Sequence, residues 1–264
     1  MTDTQPSLST AIDTATPKPG NGVAKLSPQK ILKAEVERYA PAIAKSLPSG
    51  YEGGADRFVR SVLNAIMVDK KGDLAKCRPQ SIVGAALHAA QLGLEIGPLG
   101  EAYLAPYGQD CTFMAGYRGF IKLAYLAGFD TDAQEVREFD FFEYEYGTNA
   151  HLIHRPARGG ERGKPYEWWA LARPLERGLS KFNVRDLDWM NKREAVAGPF
   201  WKKWPEEMRR KSVIRDLMKT VPLSARGETL ALAMNSDGLV REEIDAQPSD
   251  FASDEEIVDG EVVE

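Results

Sequence analysis

The sequence predicts an α+β fold, and three observations lead to that prediction. Apolar residues recur at the helical spacing of three to four positions in residues 29–46, 55–68 and 79–92. Residues 101–128 have the pattern of a hairpin followed by a helix, and beyond Gly128 the pattern changes to the two-residue alternation of strands. We therefore expect an N-terminal helical region, then antiparallel strands with helices packed on them.

Residues 101–128 read EAYLAPYGQDCTFMAGYRGFIKLAYLAG. Two short strands, 103–107 and 111–115, are predicted on either side of a tight turn at 108–110. The apolar segment 120–127 ends on a glycine, which is typical of a helix with a glycine C-cap. The central part of the chain is therefore expected to be a strand–turn–strand–helix unit.

A GYRG corner joins the second of these strands to the helix. Gly116 and Gly119 would permit unusual backbone angles and the close approach of another segment. Between them, Tyr117 and Arg118 present a ring that can stack on a base and a cation that can pair with a phosphate. The alternative is a structural corner whose tyrosine fills the core and whose arginine is solvated.

The later part of the chain contains further strands and two helices. Strand patterns occur at 139–146, 167–175 and 180–184, and helical patterns at 205–221 and 228–234. In the first of these strands Glu143 and Glu145 share a face, which suggests either a metal site or, more simply, a solvated surface. His151 and His154 stand three apart, on opposite faces of a strand, so a shared metal is not expected.

Composition and charge divide the chain into three parts. Residues 1–26 are rich in Thr, Ser, Pro and Gly, and residues 237–264 carry eleven Asp and Glu against one Arg, so both segments are predicted to be disordered. Residues 27–236 then form the folded domain. Two widely spaced cysteines, no apolar run long enough for a membrane span and no signal peptide predict a cytoplasmic location.

Basic and aromatic residues are interleaved in residues 151–219. This region has 17 Lys and Arg against 9 Asp and Glu, although the whole chain has a net charge of −5. Cations that follow the backbone and flat rings that accept bases are what a single-strand binder requires. The predicted helix 205–221 adds a basic stripe, Lys211, Arg215 and Lys219, beside an apolar face; the alternative is a plain solvated face.

Several segments together resemble the RecT family of phage-type single-strand annealing recombinases. They are AAQLGLEIG (89–97), AYLAPYG (102–108), GYRGFIKLA (116–124), LIHRP (152–156), ALAR (170–173) and MRRKSVIRDLMKTVPLS (208–224). The resemblance extends over about residues 30–225. It departs from the family pattern between residues 198 and 206, where Pro205 is an extra residue, and at the short hairpin turn; the first departure leaves the roles of Trp201 and Trp204 open.

The resemblance implies a non-enzymatic function in recombination, without cofactor or nucleotide hydrolysis. Such a protein coats single-stranded DNA as a homo-oligomer or filament and anneals the complementary strand. The implied fold is a small twisted antiparallel sheet with packed helices, and subunits placed side by side form a continuous basic groove. A partner exonuclease and a host single-strand-binding protein are further implied partners. The motifs and the basic region give the candidate DNA-binding residues Tyr117, Arg118, Lys122, Arg155, Lys192, Arg193, Trp201, Lys211, Arg215 and Lys219.

Two alternatives remain open at this point. A metal-dependent nuclease would need an acidic cluster, for which Glu143 and Glu145 are the only candidates. A single-strand coat protein that does not anneal would differ only in leaving the pairing rate of complementary strands unchanged. Residues 159–164 resemble a phosphate-binding loop, but their spacing is one residue short and Pro165 replaces the Ser or Thr.

Overall fold

A computed structural model of the protein describes residues 27–195, 199–222 and 227–237. Segment 1–26 and residues 238–264, both predicted to be disordered, lie outside the described residues. Within the described part the fold is α+β, as predicted. Its strands form three small antiparallel sheets instead of one, with orders β1–β2, β3–β6–β7 and β4–β5.

The N-terminal region is helical, but its first predicted helix is two helices. Helix α1 (Pro28–Arg38) ends at Tyr39, and α2 (Ala40–Ser46) follows with Pro41 in its first turn. Proline has no N–H to continue the hydrogen-bond ladder, which explains the break. Helix α3 (Gly54–Met67), a 3₁₀ turn at Leu74–Lys76 and helix α4 (Pro79–Gln91) follow. The small residues of α4 allow it to be buried along most of its length.

The predicted strand–turn–strand–helix unit is confirmed. Strands β1 (Ala102–Tyr107) and β2 (Asp110–Ala115) pair through a two-residue turn in which Gly108 has φ +60°. Helix α5 (Tyr117–Leu126) begins three residues earlier than predicted, because the Gly116 carbonyl already accepts a hydrogen bond from Phe120 N–H. Gly128, with φ +97°, follows the end of the helix as expected for a glycine C-cap.

The second half contains the three-stranded sheet and a separate hairpin. Strands β3 (Phe129–Arg137), β6 (Pro165–Pro174) and β7 (Lys181–Asp186) form the sheet, with a register shift at the end of β3. Strands β4 (Phe141–Glu145) and β5 (His151–Arg155) form the hairpin. Strand β4 is mostly exposed, so the predicted half-buried pattern is wrong for most of its length.

Four helices complete the described chain: α6 (Leu187–Ala195), α7 (Pro199–Lys203), α8 (Pro205–Met218) and α9 (Glu228–Ser236). Helix α8 packs across the three-stranded sheet and against α5, and α9 also contacts α5. In α8, Val213, Ile214 and Leu217 are fully or almost fully buried. This packing joins the N-terminal helices, the β1–β2–α5 unit and the sheet in one hydrophobic core. None of the described helices is long and apolar enough to cross a bilayer.

Candidate nucleic-acid interface

A groove of about 980 Å³ runs between the N-terminal helices, the β1–β2 hairpin and the α7–α8 region. Its walls come from four separate parts of the chain: the end of α3 with the following loop, residues 97–98, the hairpin with the GYRG corner, and the face of α7 and α8. The hairpin brings Tyr103 to this groove, and the corner brings Tyr117. Tertiary packing around the strand–turn–strand–helix unit of residues 101–128 therefore builds the groove.

Cations outnumber acids in the groove. Its lining includes five lysines, Lys70, Lys71, Lys76, Lys203 and Lys211, against three acids, Asp69, Asp73 and Glu207. Two of the acids are engaged locally: Asp69 accepts a hydrogen bond from Leu74 N–H, and Asp73 pairs with Lys76 at 2.9 Å. The three lysines of the α3–α4 connection and Lys203 of α7 are all exposed.

Four aromatic side chains line the same groove: Tyr103, Tyr117, Phe200 and Trp204. Half of Trp204 and 42% of Tyr103 are exposed to solvent. The Lys203 ammonium lies 5.4 Å from the centre of the Trp204 ring, so a cation and a flat surface are presented together. Exposed rings beside lysines have the composition of a stacking platform for single strands.

The GYRG corner is held by close backbone packing. A Cβ atom on Gly116 would lie 2.0 Å from the Gly100 carbonyl oxygen, and one on Gly119 would lie 2.2 Å from that of Glu101. The predicted close approach is therefore confirmed. The predicted unusual backbone angles are wrong, since Gly116 has φ −80° and Gly119 lies inside α5. The glycines serve proximity to residues 100–101 and not a left-handed turn.

Tyr117 and Arg118 are side by side at this corner, as predicted. The Arg118 Nε donates to the Tyr117 hydroxyl at 3.2 Å, and its Nη1 donates to the Leu99 carbonyl at 3.4 Å. A second guanidinium, Arg210 of α8, lies 5.7 Å from the Tyr117 ring centre, compared with 5.9 Å for Arg118. Tyr117 is thus flanked by two cations where it borders the groove.

Lys122 has a positioning contact in this structure. Its ammonium is 2.7 Å from the Glu101 carboxylate and 2.9 Å from the Gly93 carbonyl. Glu101 also accepts the N–H of Glu95, and its main-chain carbonyl accepts the N–H of Gly116. Lys122 therefore ties α5 to the segment that shapes the corner, and it does not line the groove.

The predicted basic stripe is not an exposed face. Lys211 is buried and pairs with Asp237 at 2.7 Å, although it also lines the groove. Arg215 is half-buried, 3.4 Å from Asp237, and donates to the Met234 carbonyl at 2.6 Å. Only Lys219 is exposed as predicted. The stripe is covered because α9 and the residue that follows it pack over this side of α8.

The two tryptophans of α7 and the α7–α8 junction lie in different environments. Trp201, a candidate for base stacking, is only 6% exposed and belongs to the hydrophobic core. A buried ring has no free face for a base, so its predicted exposure is wrong. Trp204 is exposed and lines the groove. Trp168 and Trp169, which are also in the basic region, are both buried.

The remaining candidates lie outside the groove lining. Arg155 is exposed on the β4–β5 hairpin, 5.2 Å from the ring centre of Phe141. Lys192 is exposed on α6 in an ion pair with Asp188. Arg193 lies 3.7 Å above the ring centre of Trp189, and burial lowers the pKa of its guanidinium. Their roles in DNA binding stay predictions.

The β4–β5 hairpin does not provide the acidic cluster that a nuclease would need. The nearer carboxylate oxygens of Glu143 and Glu145 are each 3.9 Å from a nitrogen of His151. His154 points elsewhere, with Nε2 3.0 Å from Asp140. Among the described residues, no group of three or more His, Cys, Asp and Glu side chains is arranged to hold a metal ion.

Comparison with known proteins agrees with the motifs. The profile of the RecT family matches residues 56–250, about three quarters of the chain. The chain belongs to the RecT family. Protein RecT of Escherichia coli K12 is 35% identical in an alignment of 186 positions that covers 64% of this chain and 67% of that protein. The uncharacterized protein YqaK of Bacillus subtilis 168 is 28% identical in an alignment of 182 positions that covers 60% of each chain.

Membership supports recombination-related single-strand annealing at the level of the family. Sequence reasoning missed several residues of this site: Tyr103, Lys70, Lys71 and Lys203, which line the groove, and Arg210, which lies beside the Tyr117 ring. Tyr103 lies in a predicted strand, and Lys70 and Lys71 lie between two predicted helices. The tyrosine in the hairpin and the two consecutive lysines can be seen in the sequence, but the sequence alone does not show that they line one groove.

Proposed function

We propose that this protein binds single-stranded DNA along the groove between the α3–α4 connection and the α7–α8 region, and anneals complementary strands there without nucleotide hydrolysis. One observation carries the proposal: exposed aromatic rings and lysines line the same groove. Family membership independently supports the class of activity. Tyr117, Arg118 and Arg210 form the end of the track at the GYRG corner.

The groove suits a single strand because its two kinds of contact act on different parts of a nucleotide. Lysines neutralise phosphates, and rings stack on bases at about 1–3 kcal/mol per base whatever the sequence. Lys203 beside Trp204 and the two arginines beside Tyr117 place both kinds of contact within one nucleotide's reach. We therefore expect binding with little base preference.

Pairing itself supplies the driving force in this mechanism. Stacking in a duplex releases about 1.4 kcal/mol per base-pair step, so a protein that aligns strands and reduces their repulsion needs no fuel. The chain has no complete phosphate-loop motif. No residue is required to make or break a covalent bond.

One groove holds only a short piece of strand, so we propose that many copies assemble as a homo-oligomer or filament on long DNA. A partner exonuclease would supply the single strand, and a host single-strand-binding protein would be displaced from it. We place this activity in the cytoplasm, where the two buried free thiols, Cys77 and Cys111, stay reduced.

The test is annealing of two complementary labelled oligonucleotides, in EDTA and without nucleotide, by the full chain and by a Tyr103→Ala/Trp204→Ala variant. Tyr125→Ala is the matched control, because Tyr125 is 59% exposed at the end of α5, outside the groove lining. We expect single-strand affinity to fall about tenfold or more in the double variant, from loss of two stacking surfaces, and annealing to slow with it. The control should match the wild type.

Each other outcome has a defined meaning. A double variant that binds and anneals as well as the wild type would place the strand elsewhere on the molecule. A wild-type protein that binds strands but does not speed their pairing would be a coat protein. Magnesium-dependent shortening of the labelled DNA would indicate the nuclease alternative.

A further inference from the structure

The three groups that contact Asp237 form an anion site. Its carboxylate accepts a hydrogen bond from Ala115 N–H at 2.9 Å and lies 2.7 Å from the Lys211 ammonium and 3.4 Å from the Arg215 guanidinium. A main-chain amide, an ammonium and a guanidinium converging on one point are the donors that proteins also use for phosphate. In this structure the anion that fills the site is a carboxylate of the same chain.

This anion site adjoins the groove. Ala115 and Lys211 both line the groove, while Asp237 covers their polar groups from the side of α9. The Lys211 side chain is 7% exposed and that of Asp237 is 3% exposed. Burial lowers the pKa of Lys211, and the Asp237 charge opposes that shift. An anion at this position therefore favours the charged form of Lys211.

We propose that Asp237 is an internal substitute for a DNA phosphate: when single-stranded DNA enters the groove, a phosphate takes the place of this carboxylate and α9 is displaced. This proposal rests on the proposed function and adds regulation of the same groove. Docking of Asp237 and binding of DNA to Lys211 and Arg215 are then mutually exclusive. By linkage, whatever stabilises the docked α9 weakens DNA binding by the same factor.

The hold on α9 is small enough for such an exchange. The helix has nine residues, of which Leu230 and Ala233 are buried. Its other ties lie at its C-terminal end, where Ser236 hydrogen-bonds with His88 at 2.6 Å and Met234 offers its carbonyl to Arg215. A helix this short owes its stability to packing, and elements with few buried side chains open at low free-energy cost.

The sequence after Asp237 favours the same exchange. Asp237 is the first of the eleven acids in residues 237–264, a segment with a single arginine. Negative charge of this kind competes with a DNA strand for cations and is repelled by the strand once it binds. A phosphate arriving in the groove therefore both replaces Asp237 at Lys211 and disfavours its return.

The first measurement uses the full-length wild type with and without a saturating oligothymidylate. Hydrogen–deuterium exchange of residues 228–237 should become faster when the oligonucleotide is bound, because α9 leaves its site. An ion pair that is only structural predicts unchanged or slower exchange, and that result would overturn the proposal. This measurement needs no variant, so it stands even if a substitution in the site prevents folding.

The second measurement compares full-length variants by oligothymidylate affinity across a salt series. Asp237→Asn should bind roughly tenfold tighter near 0.1 M salt and have a salt slope steeper by up to about 0.7, because one phosphate no longer has to replace a carboxylate charge. Lys211→Met added to Asp237→Asn should remove most of that gain. Asp130→Asn is the charge-matched control, since Asp130 pairs with Arg173 on an exposed part of the sheet.

The outcomes separate this proposal from the one on which it rests. If the folded Asp237→Asn protein binds within twofold of the wild type, or if Asp130→Asn gains equally, the exchange is wrong while the groove assignment stands. If the wild type binds no oligothymidylate at any salt concentration, the proposed function fails and the exchange fails with it.

Discussion

Asp140 offers the sharpest test of how the β4–β5 hairpin is held to the fold. Its side chain is fully buried, and it accepts hydrogen bonds from Arg137 N–H at 3.0 Å, Ala157 N–H at 2.9 Å and His154 Nε2 at 3.0 Å. The Arg162 guanidinium adds a bidentate contact at 2.9 and 2.5 Å. His154 in turn accepts a hydrogen bond from the indole N–H of a buried tryptophan through its Nδ1.

Asp140→Asn removes the charge and turns one acceptor into a donor. Breaking a buried ion pair costs about 3–5 kcal/mol, and an unsatisfied buried donor about 1–3 kcal/mol. Because Arg162 is 32% exposed, water recovers part of its loss. We therefore expect a loss of about 3 kcal/mol in the free energy of unfolding at pH 7, a decrease of roughly 6–12 °C in Tm for a domain of this size.

The effect should depend on pH in a defined direction. The bidentate Arg162 contact, followed by the backbone N–H groups, holds the pKa of Asp140 far below its usual range. A depressed folded-state pKa gives stability that is fully present above the unfolded-state value of about 3.9 and is lost as the pH falls below it. The difference between wild type and Asp140→Asn should thus shrink by about 1.4 kcal/mol per pH unit below about pH 4.

Urea unfolding followed by circular dichroism at pH 7, 5 and 3.5 measures both quantities. Asp130→Asn is the control, because its partner Arg173 and Asp130 itself are about half exposed, and it should change stability by less than about 0.5 kcal/mol. A difference of under 1 kcal/mol for Asp140→Asn at neutral pH, or one that stays constant down to pH 3.5, would refute this account of the hairpin.

Two further predictions concern the GYRG corner. Gly119→Ala puts a methyl group 2.2 Å from the Glu101 carbonyl oxygen, so we expect a Tm lower by several degrees, whereas Gly160→Ala, which meets no atom within 4 Å, should cost little. Arg118→Ala should flatten the salt slope of oligonucleotide binding by about 0.7 and weaken binding further through lost stacking. Arg38→Ala is the control: it removes an arginine that lies 5.7 Å from the ring centre of Tyr39, on a helix outside the groove lining, and it should leave binding unchanged.

Local patterns predicted those parts of the fold in which each element carries its own signal. Helices α3 and α4 have strong periodicity or a proline start, and the turn glycine Gly108 marks the hairpin. Strand β3 was not predicted because its inward residues include Thr131 and Ala133, so the alternation of apolar and polar residues is weak. Helix α6 buries a single side chain, Met190, so its helical pattern of apolar residues is weak and it was not predicted.

The site was predicted less completely, because periodicity assigns a residue to a face of its helix but not to an environment. Lys211 lies beside the apolar face of α8 as predicted, and what buries it is Asp237, 26 residues further along the chain. Trp201 and Trp204 have equally good local contexts, and only the packing of α7 distinguishes the core ring from the exposed one. Only residues 200–211 of the predicted basic region contribute to the groove lining, and tertiary contacts decide which residues face the groove.

The limited number of exposed rings in the groove is consistent with annealing. A base stacked on a protein ring gains about 1–3 kcal/mol, and a base pair step gains about 1.4 kcal/mol, so a groove that stacked every base would compete with the duplex it has to form. Here four rings and five lysines, partly offset by three acids, are spread over about 980 Å³. Only Tyr103 and Trp204 among these rings are well exposed, so bases that lie between them would have no free ring face to stack on. We expect them to remain available to the complementary strand, which is the property that separates an annealing protein from a tight single-strand coat.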